Sequence, residues 1–152
     1  MMKNKYNILF LFAILLIGSC KQKDKEIEAN HISDSIEKIK ISPNYKWLVI
    51  LPGLGCHGCI QEGEAFMQEY VDNKDILFVL TKIESLKILQ KKININIKEH
   101  NNIYIDRGRL FDLPTDNAIY PCIVELNEGK LRSHGFQSPV SSDAFEKLKA
   151  RI

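Results

Sequence analysis

Cysteine is scarce in this sequence, with four in 152 residues, and that scarcity limits how the fold can be held together. Only Cys56, Cys59 and Cys122 follow Cys20. Three thiols do not staple a small domain, so its stability must rest on apolar burial and the cysteines need another explanation. An excess of charge is missing too. Residues 1–19 contain two lysines and no acids, which leaves 19 basic side chains facing 19 acidic ones in the remainder. That balance argues against nucleic acid as a partner, because such binding needs clustered cations on the phosphates. Long apolar runs are absent as well: Ile8–Ile17 spans ten residues, half of the roughly 20 that a membrane-crossing helix requires. There is no internal repeat.

The N-terminus has a different logic. Lys3 and Lys5 precede the Ile8–Ile17 run, and the small residues Gly18 and Ser19 follow it, which is the layout of a secretory signal peptide. Leu16-Ile17-Gly18-Ser19-Cys20 resembles the bacterial lipobox, in which cleavage precedes a cysteine that carries a diacylglyceryl group. The resemblance implies a lipoprotein signal peptide at 1–19 and lipidation at Cys20. Several acyl chains on one residue, at about 0.8 kcal/mol per buried methylene, would hold the protein on a membrane surface. The polar stretch KQKDKEIEAN that follows suits a solvated tether over 20–31. One domain is expected over 32–152, a length sufficient for one core and too short for two.

Within that domain, Ser33–Ile39 suggests a short helix. Trp47–Leu51 and Ile76–Leu80 are apolar runs that read as buried strands. Pro52-Gly53-Leu54-Gly55 forms a turn, after which Cys59, Ile60, Phe66, Met67, Tyr70 and Val71 recur at helical spacing, so a helix starts near Cys56. Glu84–Lys92 suggests a second helix and Ile103–Ile105 a short third strand. Residues 106–119 show no period beyond a turn of helix around Leu110 and Phe111. Cys122–Leu126 and Lys130–Phe136 flank Asn127-Glu128-Gly129 as a hairpin, and Asp143–Ile152 closes as an amphipathic helix. The order predicts an α/β fold with a mixed central sheet and helices on both faces.

Cys56-His57-Gly58-Cys59 carries the chemistry. At a strand-to-helix junction, Cys56 sits at the helix N-terminus, where free amides and the helix dipole favour a thiolate, and Cys59 lies nearly one turn later. A protonated His57 would add to that effect, and Gly55 and Gly58 leave room for a partner chain. Other readings compete. A zinc site would need further ligands from Cys122 and the unpaired His31, His57, His100 or His134; a structural disulfide across three residues would stabilise little. Covalent haem fails, because Ile60 stands where CxxCH needs histidine.

The strand Trp47–Leu51, the CxxC, the following helix and Ile119-Tyr120-Pro121 before a strand and hairpin resemble the thioredoxin superfamily over roughly residues 40–152. The resemblance implies a thioredoxin-like three-layer sandwich and thiol–disulfide exchange at Cys56 and Cys59. Pro121 would follow a cis peptide bond and lie against the CxxC, so that Tyr120, Pro121 and His57 shape a substrate groove. Glu62, six residues after Cys56, matches a glutamate of the membrane-anchored TlpA-like branch that assists proton transfer, and it shares a helix face with Cys59. The sequence departs from thioredoxin at Ile50, Gly55 and His57-Gly58. Cys122 reads as a small buried hydrophobe, and His100, His134, Arg107 and Arg109 as surface residues.

The expected protein is thus an extracytoplasmic thiol–disulfide oxidoreductase on the periplasmic side of a bacterial envelope, with no cofactor beyond its own disulfide. Its partners would be cysteine-containing extracytoplasmic proteins, a membrane or periplasmic electron donor, and the membrane itself through the lipid. The rival is a non-enzymatic lipoprotein that binds copper or zinc through the CxxC thiols and a histidine. Replacing Cys20 with serine should release the protein from membranes into the soluble extracytoplasmic fraction. Cell fractionation that finds the Cys20→Ser protein as membrane-bound and uncleaved as wild type would refute lipidation there.

Overall fold

The computed structural model describes the backbone of residues 4–152 and the side chains of residues 22–152, so the Cys20 side chain lies outside the described residues. The elements are α1 (Asn4–Ile39), β1 (Trp47–Pro52), α2 (His57–Tyr70), β2 (Ile76–Thr81), α3 (Leu86–Ile93), β3 (Ile103–Asp106), β4 (Cys122–Asn127), β5 (Lys130–Phe136) and α4 (Ala144–Lys149). Short 3-10 turns cover Ile97–Glu99 and Asp116–Ile119.

One five-stranded sheet runs in the order β3-β2-β1-β4-β5. Strands β1, β2 and β3 are parallel, and β4 and β5 return antiparallel as the hairpin predicted from the sequence. Every residue of β1 and β2 is buried, which is why both read as continuous apolar runs rather than as alternations. The pleat still sorts their side chains. Trp47, Val49, Leu51, Phe78 and Leu80 pack with Phe66 and Met67 of α2, Ile93 of α3 and Phe145 and Leu148 of α4. Leu48, Ile50, Leu77 and Val79 pack on the other face with Ile32 and Ile36 of α1, Phe111 and Val124. Helices therefore cover both faces, as expected. Phe66 anchors its layer, its ring centroid 4.7 Å from that of Tyr70 and 4.8 Å from that of Phe145, and burying a side chain of this size contributes about 1.5–3 kcal/mol.

Four expectations need correction. Residues 20–31 are not a solvated tether throughout: they continue α1, residues 22–27 are exposed, and from Glu28 onward the helix is seated on the sheet. Glu28 explains this seating, since its carboxylate accepts hydrogen bonds from Thr115 Oγ1 at 2.6 Å and Asn117 Nδ2 at 2.7 Å, and His134 Nε2 lies 3.0 Å away. His134 is accordingly not a surface residue; its side chain and that of Glu28 are each 3% exposed. Removing one member of such a buried pair leaves the other uncompensated, at about 3–5 kcal/mol.

The segment 106–119 lacks the expected turn of helix at Leu110 but is firmly held. The buried Asp106 carboxylate accepts from the Leu110 and Phe111 amides at 2.9 and 2.8 Å, Ser35 Oγ donates to the Leu110 carbonyl, and Phe111 and Leu113 enter the core. Finally, there is no cis peptide bond among the described residues, so Tyr120–Pro121 is trans. Tyr120 is already extended (φ −108°, ψ 146°) as the chain leaves the 3-10 turn, the conformation preferred before proline. The chain enters β4 directly, and the trans form keeps its intrinsic advantage of about 0.5–1 kcal/mol.

Burial raises the Glu28 pKa, but the hydrogen bonds from Thr115, His134 and Asn117 and the nearby His134 charge outweigh it, so the carboxyl ionises below its ordinary range. A lowered folded pKa gives stability that is present above the unfolded value of about 4.3 and lost as pH falls through the folded value. Urea unfolding at about pH 5.5 and pH 3 should therefore show a larger loss of stability in wild type than in Glu28→Gln. Equal losses would mean that Glu28 contributes nothing to acid lability.

Candidate functional site

The site forms where β1 gives out. Pro52 ends the strand, the Gly53 amide donates to the Thr81 carbonyl at 2.8 Å, and the chain turns through Leu54 and Gly55 into α2. Cys56 is the N-cap residue of that helix, with φ −64° and ψ 102° and no side-chain cap. Cys56 and Cys59 are joined as a disulfide, their Cα atoms 5.4 Å apart. The two sulfurs are not equivalent, because Cys56 is partly exposed whereas Cys59 is buried. The reachable thiol is also the one beside the unsatisfied first-turn amides, which favour negative charge, and that turn contains no acid to oppose it.

The 3-10 turn Asp116–Ile119 packs directly on this junction. The Cys56 amide donates to the Ile119 carbonyl at 3.0 Å. Gly55 has φ +150°, and a Cβ there would collide with the Ile119 carbonyl. The expectation that Gly55 leaves room for a partner is thus corrected, since the protein's own backbone fills the space. Gly58 behaves as expected, with nothing within 4 Å of where a Cβ would stand.

Of the expected groove residues, His57 is exposed, Tyr120 is half-buried and Pro121 is buried. Pro121 packs beneath α2: a Cβ on Gly63, one turn past Cys59, would stand 3.3 Å from its ring. The apolar surface around the disulfide loop comes instead from Leu54 and Ile119, which are 48% and 42% exposed. Neither stood out in the sequence, because a single exposed apolar residue in a loop carries no pattern. A separate apolar hollow of about 210 Å³ between α2 and α3 is lined by Gly53, Ile60, Met67, Ile83 and Leu89 among others.

Glu62 is exposed on α2, and its carboxylate accepts a hydrogen bond from Gln137 Nε2. Sequence reasoning missed Gln137. This residue is 2% exposed, donates also to the Ser142 carbonyl at 2.7 Å, accepts from the Phe145 amide at 3.1 Å, and its amide donates to the Pro121 carbonyl at 3.0 Å. This one residue thereby ties α2 and the start of α4 through its side chain, and Pro121 through its backbone. Lys82 was missed likewise. It pairs with Asp112 at 2.9 Å and donates to the Ala118 carbonyl at 2.8 Å, fixing the turn from its other side.

Cys122 packs on the α1 face of the sheet with Ile32, Ile36 and Val124, across from α2, as a small hydrophobe. Burial pushes its thiol pKa far up, and the Glu28 charge pushes in the same direction. Arg107 and Arg109 are exposed, and His100 lies with Nδ1 3.5 Å from Asp72. Among the described residues, no group of three or more His, Cys, Asp or Glu side chains is placed to hold a metal ion. The pair itself is chemically compatible with redox exchange or with metal binding. No family model, curated protein or solved structure matches this chain.

After reduction of the protein at about pH 8, iodoacetamide should label Cys56 first and leave Cys122 unlabelled until denaturant is added. Peptide mapping that found Cys122 labelled in the folded protein at a rate near that of Cys56 would contradict its burial.

Proposed function

We propose that this protein is a thiol–disulfide oxidoreductase of thioredoxin-like fold that reduces disulfides in extracytoplasmic proteins. The observation that supports this best is the asymmetry of the pair: a partly exposed Cys56 capping a helix, bonded to a buried Cys59. In the reduced form the Cys56 thiolate attacks one sulfur of a partner's disulfide. A mixed disulfide forms, and the partner's other sulfur leaves as a thiolate and takes up a proton. Cys59, once deprotonated, attacks Cys56 Sγ and expels the partner's remaining thiolate. Two electrons pass to the partner, Cys56 and Cys59 are left as a disulfide, and an electron donor reduces that disulfide to regenerate the dithiol.

Other residues take supporting roles in this reading. Glu62, held by Gln137, relays the proton of Cys59. Tyr120 and His57 flank the partner segment, with Leu54 and Ile119 as apolar contacts, and Pro121 supports α2 from below. Lipidation at Cys20 places the domain on an envelope membrane facing the periplasm, and the direction of electron flow follows by analogy with the TlpA-like branch.

The test is a pair of variants expressed in cells whose proteins are then acid-quenched. Cys59→Ser should accumulate mixed disulfides with partner proteins, and Cys56→Ser should not. Equal trapping by both would remove the division of labour. Stoichiometric copper or zinc in the purified wild-type protein, with no trapping by either variant, would favour the metal-binding alternative.

A further inference from the structure

Glu28 is unusual in position as well as in burial. It belongs to α1, yet all three of its side-chain partners lie outside that helix: Thr115, Asn117 and His134. Thr115 is the residue before the 3-10 turn Asp116–Ile119, and its hydroxyl does not cap that turn but donates to Glu28. Asn117 lies inside the turn. Its carbonyl accepts from the Tyr120 amide and the Thr115 carbonyl accepts from the Ala118 amide, both at 3.0 Å, and at the end of the turn the Ile119 carbonyl accepts from the Cys56 amide at 3.0 Å. A carboxylate on the N-terminal helix thus holds one end of a short turn whose other end holds the backbone of the partly exposed cysteine.

We propose that Glu28 is a positioning residue for the Cys56–Cys59 pair: by holding the 116–119 turn against Gly55 and Cys56, it makes the seating of α1 on the sheet set the stability of the disulfide. The inference rests on the thiol–disulfide reading of the same site. The physical reason is local. While the turn is seated, the Ile119 carbonyl occupies the Cys56 amide and aims the negative end of its dipole at the helix start where a thiolate would form. Both effects oppose the thiolate that the first-turn amides favour. With the turn released, the Cys56 amide becomes available to the reduced sulfur, the dithiol gains relative to the disulfide, and the pair becomes easier to reduce. Lys82 anchors the same turn through Ala118, so release needs the Glu28 side of the clamp to be removed and not merely weakened.

The experiment equilibrates the full chain, in detergent, with mixtures of reduced and oxidised glutathione, and the fraction of dithiol is read by alkylation and mass. Glu28→Leu should shift the equilibrium toward the dithiol by about tenfold or more, which for a two-electron couple corresponds to about 30 mV. Glu28→Gln keeps an acceptor for Thr115 and Asn117 and should stay within about twofold of wild type. Ser35→Ala removes a different bond between α1 and the 106–119 segment, at Leu110, and should not move the equilibrium. Should Glu28→Leu fail to fold, the double variant Thr115→Val/Asn117→Leu, which leaves α1 intact, should show the same shift toward the dithiol. An unchanged equilibrium in a folded Glu28→Leu or in the double variant overturns the proposal. A shift toward the disulfide, or an equal shift in Ser35→Ala, overturns it as well. Because glutathione needs no protein partner, a wild-type protein that traps no partner while these variants still shift would fail the proposed function and leave this inference standing.

Discussion

The backbone of Ile119 lies so close to Gly55 that no side chain fits between them, and the arrangement of the disulfide follows from that contact. Two segments more than 60 residues apart in sequence meet there through one amide and one carbonyl. A close approach of this kind is possible only because position 55 carries no Cβ and adopts a φ that other residues avoid. Once the contact exists, Cys56 stands partly exposed at the N-cap of α2, and Cys59 lies buried three residues on. The rest of the loop 106–119 then serves to keep Ile119 in place, through Asp106, Lys82, Phe111 and Glu28.

Much of the scaffold was legible in the sequence because its signals are local. The apolar runs at Trp47 and Ile76, the helical spacing after Cys56 and the glycine turn of the hairpin each declare one element within a few residues. The CxxC was legible for the same reason, with its junction between strand and helix. What escaped has the opposite character. Glu28 meets partners 87, 89 and 106 residues away, and Gln137 meets Glu62 across 75 residues, so no window of sequence contains both ends of either bond.

The misreading of residues 20–31 is instructive in physical terms. KQKDKEIEAN carries six charged side chains in ten residues, and such composition ordinarily marks a solvated segment. One acid among them is buried because the fold supplies it with two donors and a histidine, which offset the cost of taking a carboxylate out of water. Composition averages over the window and conceals the single residue that differs. Pro121 shows the complementary error, in which a family likeness implied a bond geometry that the local chain path does not need: the 3-10 turn before it already delivers an extended Tyr120 into β4.

The strand order leaves β3 and β5 at the two edges of the sheet. Edges of this kind invite other chains to add a strand, and they differ in how they discourage it. β3 is only four residues long. β5 exposes Lys130, Arg132 and Ser133, and its pairing with β4 slips at Glu125 and Leu126, an irregularity that twists a ribbon away from flat docking. Main-chain recognition along the sides of the sheet is thereby disfavoured. Under the proposed function, a partner polypeptide would approach the end of the sheet where the strands stop and the loops begin, and there it would be held by its side chains and its sulfur more than by its backbone.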